Sequence, residues 1–299
     1  MVESDDDDGD PPGGERLLPA HNPDVERTGS LYIVSTPIGN LRDMTLRAID
    51  VLRSVDVVLA EDTRHSRHLL AHHGIDTRLV PYHEHNEARA TATTLTRLRE
   101  GHDVALISDA GTPLLSDPGA RLVRAAAEAG IPVVPVPGPS ALLAALVTSA
   151  IGTDRFTFFG FLARKGRERE DAIRDLSALP HTAVLYEAPN RVAATLVDLM
   201  RHGAGGRQAC VARELTKQFE EVRRGTVTDL AAYYEGSPPR GEVVIVLEGI
   251  TVHPLAEDEL RARARALRAS GLSSRDVAAA LVREDGASRN VAYRLAHEA

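Results

Sequence analysis

With 299 residues and 43% hydrophobic side chains, the chain has material for two cores of ordinary domain size. No apolar run approaches the ~20 residues that a membrane crossing needs, and the acidic first residues lack a basic and then apolar signal pattern, so the composition predicts a cytoplasmic protein without membrane contact. The single cysteine excludes a disulfide framework or a cysteine zinc cluster, and the formal charge of −8 sits mostly in residues 1–29, which hold nine acids and two arginines.

That first stretch is too polar and too rich in Pro and Gly to bury a core, and it reads as a disordered acidic tail over residues 1–29. The rest of the chain carries 34 acids and 33 bases, so the overall acidity is no argument against a polyanionic partner. From Leu31, short β-branched runs alternate with helical periodicity: "LYIVS", "TLRAIDVLRSV", "VVLAE", "TRHSRHLLAHHG", "ATTLTRLREG" and "DVALIS". The helix "GARLVRAAAEAG" closes at Gly130, the strand "PVVPVPG" follows, and Ser140 caps the helix "SALLAALVTSA". This pattern predicts an α/β domain over residues 30–148.

After "GTDRFTFFGF", the segment "LARKGRERE" reads as a basic loop leading to a second series, "AVLYE", "RVAATLVDLMRHG", "ACVARE" and "GEVVIVLEG". These predict a second α/β domain over residues 149–252. Residues 253–299 turn to Ala, Arg and Leu without a strand signal, and from 260 onward they hold eight arginines against four acids. They predict three short helices of helix-turn-helix type, the second capped by Ser273 or Ser274 and the third, beyond Gly286, by Ser288. Such an end either packs as a helical cap or contacts nucleic acid.

Three turns rich in Pro, Gly and Ser follow strands in the first domain: "STPIGN", "SDAGTP" and "PGPSA". None has the glycine spacing of a dinucleotide fingerprint or the lysine of a P-loop. Turns of this kind gather at the carboxyl ends of α/β strands, and Gly111 and Gly138 let a flat ligand approach the backbone, which suits a nucleoside held by main-chain groups. Six of the twelve histidines, His65, His68, His72, His73, His83 and His85, fall within 21 residues. Arg64, Arg67 and Arg78 stand among them and repel a cation, so no metal is expected. Acids and bases also recur at strand ends: Glu61, Asp62 and Arg64; Glu187 and Arg191; Arg213, Glu214 and Lys217. Each group alone reads equally as a surface ion pair, but together with Arg164, Lys165, Arg167 and Arg169 they suggest a polar site with a basic rim suited to phosphates.

The run of motifs "LYIVSTPIGNLRDMTLRAIDVL", "AEDTRHSRHLL", "YHEHNE", "ALISDAGTPLLSDPGARLV", "PVPGPSALLAAL", "TDRFTFFGFLARKGRERE", "LYEAPNR" and "ARELTKQFEE…GEVVIVLEG" resembles the tetrapyrrole methylase superfamily, and within it the methyltransferases of small-subunit ribosomal RNA. The resemblance covers Leu31 to Gly249 in order, and the helical end is similar to the tail of many members. It implies an S-adenosylmethionine-dependent enzyme that methylates the ribose 2′-oxygen of a cytidine in the decoding region of 16S rRNA. It also implies a homodimer, with two α/β domains and the cofactor in the cleft between them. By motif, Asp109, Ala110, Gly111, Thr112, Ser140 and Ala141 match the cofactor-contacting turns, with Pro37 and Ile38 from the first turn and Leu185, Tyr186, Ala212 and Val243 from the second domain. Ser116 to Gly119 are expected to start the next helix. Ala163 stands where the family pattern has Pro and Ala150 where it has Gly, which loosens two loops.

A ribose hydroxyl is a poor nucleophile, so a base or a cation should help it by roughly 10²- to 10⁴-fold. The candidates are Glu61, Asp62, Glu187 and Lys217, and those for RNA are Arg64, Arg164, Lys165, Arg167, Arg191 and Arg213. Two other readings are a methylase of a tetrapyrrole or protein side chain, and a nucleic-acid-binding regulator whose α/β body senses a nucleoside.

Overall fold

The computed structural model describes residues 28–250, 256–283 and 285–299. Residues 1–27 of the expected acidic tail lie outside them. At the tail's end the chain is already held: the Gly29 N–H donates to the Leu98 carbonyl (2.7 Å) and the Ser30 N–H to Asp103 Oδ1 (2.7 Å), so order begins before residue 30. Contacts divide the chain into two compact units, one running to Ala145 and including Arg213–Glu221, the other formed by Leu146–Ala212 and the chain from Val222.

The first unit alternates β1 (Leu31–Val34), α1 (Leu46–Ser54), β2 (Val57–Ala60), α2 (Thr63–His72), β3 (Leu79–Pro81), α3 (Glu87–Arg99), β4 (Val104–Ile107), α4 (Ala120–Glu128), β5 (Val133–Val136) and α5 (Ala141–Thr148), whose last turn belongs to the second unit. The five strands form a parallel sheet in the order β3-β2-β4-β1-β5. The central strands are apolar at every position because helices cover both faces. Their two-residue alternation divides the core: Val58 and Ala60 pack with Leu52 and Leu70, whereas Val57 and Leu59 pack with Leu98 and Leu122.

The second unit contains β6 (Phe156–Phe161), α6 (Arg167–Ala178), β7 (Thr182–Glu187), α7 (Val192–Leu199), β8 (Gln208–Arg213), β9 (Glu221–Thr226), α8 (Val227–Gly236) and β10 (Val243–Leu247). Its sheet runs β6-β7-β10-β8-β9, with β6 parallel and β10 antiparallel to β7. The expected basic loop is shorter than the sequence suggests, because α6 starts at Arg167 and buries Ile173 and Leu176. The chain ends in α9 (Glu257–Ala269), α10 (Ser274–Arg283) and α11 (Arg289–Glu298), where Ser273 Oγ accepts from the Asp276 N–H and Ser288 Oγ from the Val291 N–H. The protein thus has two α/β domains and a set of C-terminal helices. Among the described residues no helix is long and apolar enough to cross a membrane.

Candidate functional site

The carboxyl ends of β1, β4 and β5 bring the three Pro/Gly/Ser turns of the first unit together. Thr36 and Gly111 exchange both backbone hydrogen bonds (2.9 and 3.0 Å), and Thr36 Oγ1 donates to the Ser108 carbonyl (3.1 Å). Ser35 Oγ donates to Thr112 Oγ1 (3.2 Å), which donates in turn to the Pro139 carbonyl (3.2 Å). This chain of bonds links the turn after β1 to those after β4 and β5, making a single cradle of the three. Pro37 and Ile38 are buried beneath it, while Asp109, Thr112, Ser140 and Ala141 are partly exposed and Ala110 is open to solvent. Gly111 (φ +79°) is fixed by conformation and by space, since a Cβ there would stand 3.3 Å from Ile38 Cγ2. At Gly138 a Cβ would stand 3.0 Å from the Ser35 Cβ.

Carboxylates gather at the same strand ends. Asp109 Oδ1 accepts from the Asp62 N–H (3.1 Å), which ties the turn after β4 to the start of α2. Burial and the nearby charge of Asp109 raise the pKa of Glu61 above the ordinary carboxylate value, with His83 pulling the other way. Burial, reinforced by the charges of Glu61 and Asp109, pushes Asp117 up to about 6 against the opposing hydrogen bond of Ser108. Asp62 behaves differently. It caps α2, its Oδ1 accepting from the Arg64 N–H (2.8 Å), and that bond holds its carboxyl below the usual range.

Asp117 was not among the sequence candidates, and the segment around it is not the helix start expected there. Leu114 and Ser116 take φ of +75° and +74°, so the backbone turns twice through the left-handed region before α4 begins at Ala120. Gly119 closes this turn, its N–H donating to Glu87 Oε1 (3.2 Å), and a Cβ there would meet Leu106 Cδ2 at 2.6 Å. The sequence signal was the Asp-Pro-Gly that ends the segment, a turn signature rather than a helix cap.

Arg213–Glu221 joins the first unit, and with it Lys217. The Lys217 stem lies directly on Gly39 of the first turn, where an added Cβ would be 2.3 Å from Cγ, and its Nζ donates to Glu214 Oε1 (3.0 Å). Glu214 and Thr216 both have positive φ (+50° and +68°), a constrained backbone that holds the lysine in place. Arg213 is engaged with Glu221 (Nε to Oε2, 2.7 Å), and Arg64 projects into solvent beside Asp62 (3.6 Å).

In the second unit Glu187 ends β7 with its side chain wholly buried. Its Oε2 accepts from Thr195 Oγ1 (2.6 Å) and faces Arg169 (4.0 Å), while Oε1 accepts from the Ala188 N–H (2.9 Å) and pairs with Arg191 Nε (3.3 Å). Arg169 also grips Asp198 Oδ2 through Nε (3.2 Å) and Nη2 (2.8 Å), and Arg191 donates to the carbonyls of Leu162 and Ala163 (2.9 and 3.0 Å). Both oxygens of Glu187 are therefore occupied, and the Arg191 guanidinium turns into its own unit instead of outward as a phosphate ligand. Arg164, Lys165 and Arg167 are exposed. Leu185, Ala212 and Val243 are buried in the sheet, and Tyr186 packs against Phe158 and Phe161 (4.9 and 5.4 Å between rings). Among the described residues no group of three His, Cys, Asp or Glu side chains is arranged to hold a metal ion.

Residues 30–231 match the family of tetrapyrrole (corrin/porphyrin) methylases. Curated relatives named ribosomal RNA small subunit methyltransferase I include one from Synechocystis sp., 45% identical over 90% of this chain and 98% of its own length, and one from Escherichia coli O157:H7, 43% identical over 90% and 95%. Among solved structures, the chain is similar to a uroporphyrin-III-C-methyltransferase from Thermus thermophilus, with a TM-score of 0.52 and 26% identity over 74% of this chain and 94% of that one. A second structure of a Thermus thermophilus uroporphyrin-III C-methyltransferase, complexed with S-adenosyl homocysteine, shares the fold at a TM-score of 0.55 and 20% identity over 74% of this chain and 97% of that one.

Proposed function

Because the chain belongs to the tetrapyrrole methylase family, and within it to the group of ribosomal RNA small subunit methyltransferase I, we propose that it methylates the ribose 2′-oxygen of a cytidine in the decoding region of small-subunit rRNA. The cofactor is S-adenosylmethionine. The observation that supports this reading most is the cradle of three interlocked turns bordered by Glu61, Asp109 and Asp117. Its carbonyls and hydroxyls suit a nucleoside, and its carboxylates suit a ligand that carries sulfonium and ammonium charges. When bound, S-adenosylmethionine supplies an electrophilic methyl group.

The chain's own residues then divide the remaining work. Pro37, Ile38, Asp109–Thr112, Ser140 and Ala141 of the first unit hold the nucleoside. Glu61, whose proton affinity burial raises, receives the hydroxyl proton on a carboxylate oxygen, and Lys217 steadies the developing alkoxide. Asp62 is committed to capping α2 and Glu187 to two arginines, so both act as positioning residues. Arg64, Arg164, Lys165 and Arg167 are open to solvent and suit the RNA backbone. A homodimer agrees with Leu143 and Val147, exposed one turn apart on α5.

Mapping 2′-O-methyl groups on small-subunit rRNA with and without the gene tests the reading. Loss of one ribose methyl group from a decoding-region cytidine is expected, and an unchanged map would refute it. The structural likeness to uroporphyrin methylases keeps a second reading in view. Methyl transfer to a porphyrinoid but not to RNA would establish it instead.

A further inference from the structure

The three C-terminal helices have a core of their own, in which Leu260 and Ala264 of α9, Val277 and Leu281 of α10, and Leu295 and Ala296 of α11 are buried against one another. The turn between α10 and α11 passes through Gly286 at φ +67°, giving a helix-turn-helix arrangement with α11 as its second helix. One face of α11 is spent on the core through Ala292, Leu295 and Ala296. The adjoining, outward face carries Arg289, Asn290, Tyr293 and His297, all exposed, within an arc of about 100° at the helical repeat.

Folding explains the inner face but not the outer one. Tyr293 leaves 54% of its surface in water although the helix needs no aromatic there. Arg289 precedes it by one turn and His297 follows by one turn, and among the described residues Arg289 forms no ion pair. Among the described residues, Glu257 pairs with Arg261 and Arg294 (2.9 Å each), Glu298 faces Arg261 (3.8 Å) and Asp285 faces Arg263 (3.6 Å). The face therefore offers a flat aromatic ring, an exposed guanidinium and an amide side by side. An exposed ring stacks on any unpaired base, a guanidinium takes the adjoining phosphate, and an amide hydrogen-bonds a base edge. A paired A-form stem does not fit, because its major groove is too deep and narrow for side chains to read.

We propose that the outer face of α11 is an accessory docking surface for an unpaired segment of RNA, with Tyr293 stacking on a base and Arg289 contacting the neighbouring phosphate. The proposal rests on the RNA reading above for the class of its ligand, not for the place of methylation. It gives the helical end a task distinct from the cradle: holding the substrate while the first unit holds the cofactor.

The test uses the full chain and a short fluorescein-labelled single-stranded RNA, read by fluorescence anisotropy at fixed salt. Stacking on one base and contact with one phosphate predict that Arg289→Ala/Tyr293→Ala weakens binding by about tenfold or more, while Tyr293→Phe, which keeps the ring, stays within about twofold of the parent. Thermal unfolding and S-adenosylmethionine binding should be unchanged in both variants, which separates a docking defect from a folding one. A double variant that binds RNA within about twofold of the parent would overturn the proposal. So would a parent that prefers duplex DNA to the RNA. The readout is binding alone, so a protein that methylates no rRNA would refute the catalytic reading while leaving this test decisive in its own right.

Discussion

Replacing Asp117 by Asn tests whether the carboxylates at the strand ends are held together at a cost to the fold. In the folded protein Asp117 is pushed from 3.8 up to about 6, first by burial and then by the charges of Glu61 and Asp109. At about 1.4 kcal/mol for each tenfold change in proton affinity the shift corresponds to at most about 3 kcal/mol, and because Asp117 is only partly buried, solvent screening leaves its ionised side chain destabilising the fold by about 1 to 2 kcal/mol. A raised carboxyl binds its proton more tightly in the folded state. The penalty is therefore absent below the unfolded value of 3.8, grows as pH rises toward 6, and is constant above that. Asp117→Asn removes it, so at pH 8 the variant should unfold several degrees above the parent, and the difference should fade by pH 4. The same substitution should weaken S-adenosylmethionine binding and abolish the rise in affinity expected of the parent as pH passes through about 6. Thermal unfolding across this pH range and calorimetric titration of the cofactor provide the measurements. A variant no more stable than the parent at pH 8, with the same pH dependence of binding, would refute the reasoning.

Three further outcomes follow from the geometry. Glu187→Ala leaves the partly buried Arg169 and Arg191 without their shared carboxylate, with Asp198 still paired to Arg169, and should lower stability by about 2 to 4 kcal/mol by chemical denaturation, more than a surface ion pair is worth. Gly39→Ala places a methyl group 2.3 Å from Lys217 Cγ, and the displaced lysine should reduce kcat by about tenfold or more while cofactor affinity holds, matching Lys217→Ala; equal kcat in the parent and Gly39→Ala would show that Lys217 takes no part in the reaction. Ala150→Gly relieves a left-handed residue just beyond α5 (φ +61°) and should stabilise the protein by about 0.5 to 1 kcal/mol in thermal unfolding.

That last position shows what the sequence could and could not convey. Ala150 stood out as a departure from the expected glycine and read as a loosened loop. The structure shows strain instead, because the helix end still demands the left-handed turn that glycine makes without cost. The strands and most helices of both units were legible from periodicity, and the caps Ser140, Ser273 and Ser288 from their side-chain chemistry. Four elements were not, the first being α6, which opens inside the segment that reads as a basic loop. The strand β3 is only three residues long, β9 is the polar run "EVRRGT", and α8 follows it without a break, so none carries a clear apolar period.

The site divides in the same way. The three Pro/Gly/Ser turns were visible in the sequence, since their residue types restrict local backbone whatever surrounds them. Their union into one cradle depends on the strand order β4-β1-β5, which joins the first two turns across 77 residues and the last two across 27, and is encoded in no local window. Charge was less legible still. Glu61, Asp62 and Glu187 look alike in sequence, each an acid at the end of an apolar run, yet one is partly buried beside another carboxylate, one caps a helix and one is locked between two arginines.

The sequence by itself determined the class of fold, the family and the three Pro/Gly/Ser turns that form the cradle, because backbone propensity and motif order are local properties of the chain. Only the tertiary structure decided which ionisable groups face one another, and with that their proton affinities. It recruited Asp117 to the carboxylates, withdrew Glu187 and Arg191 into the second unit, and laid Lys217 on Gly39. The physical reason is that desolvation and Coulomb forces act through space, and a residue's neighbours in space are fixed only once the sheets have assembled.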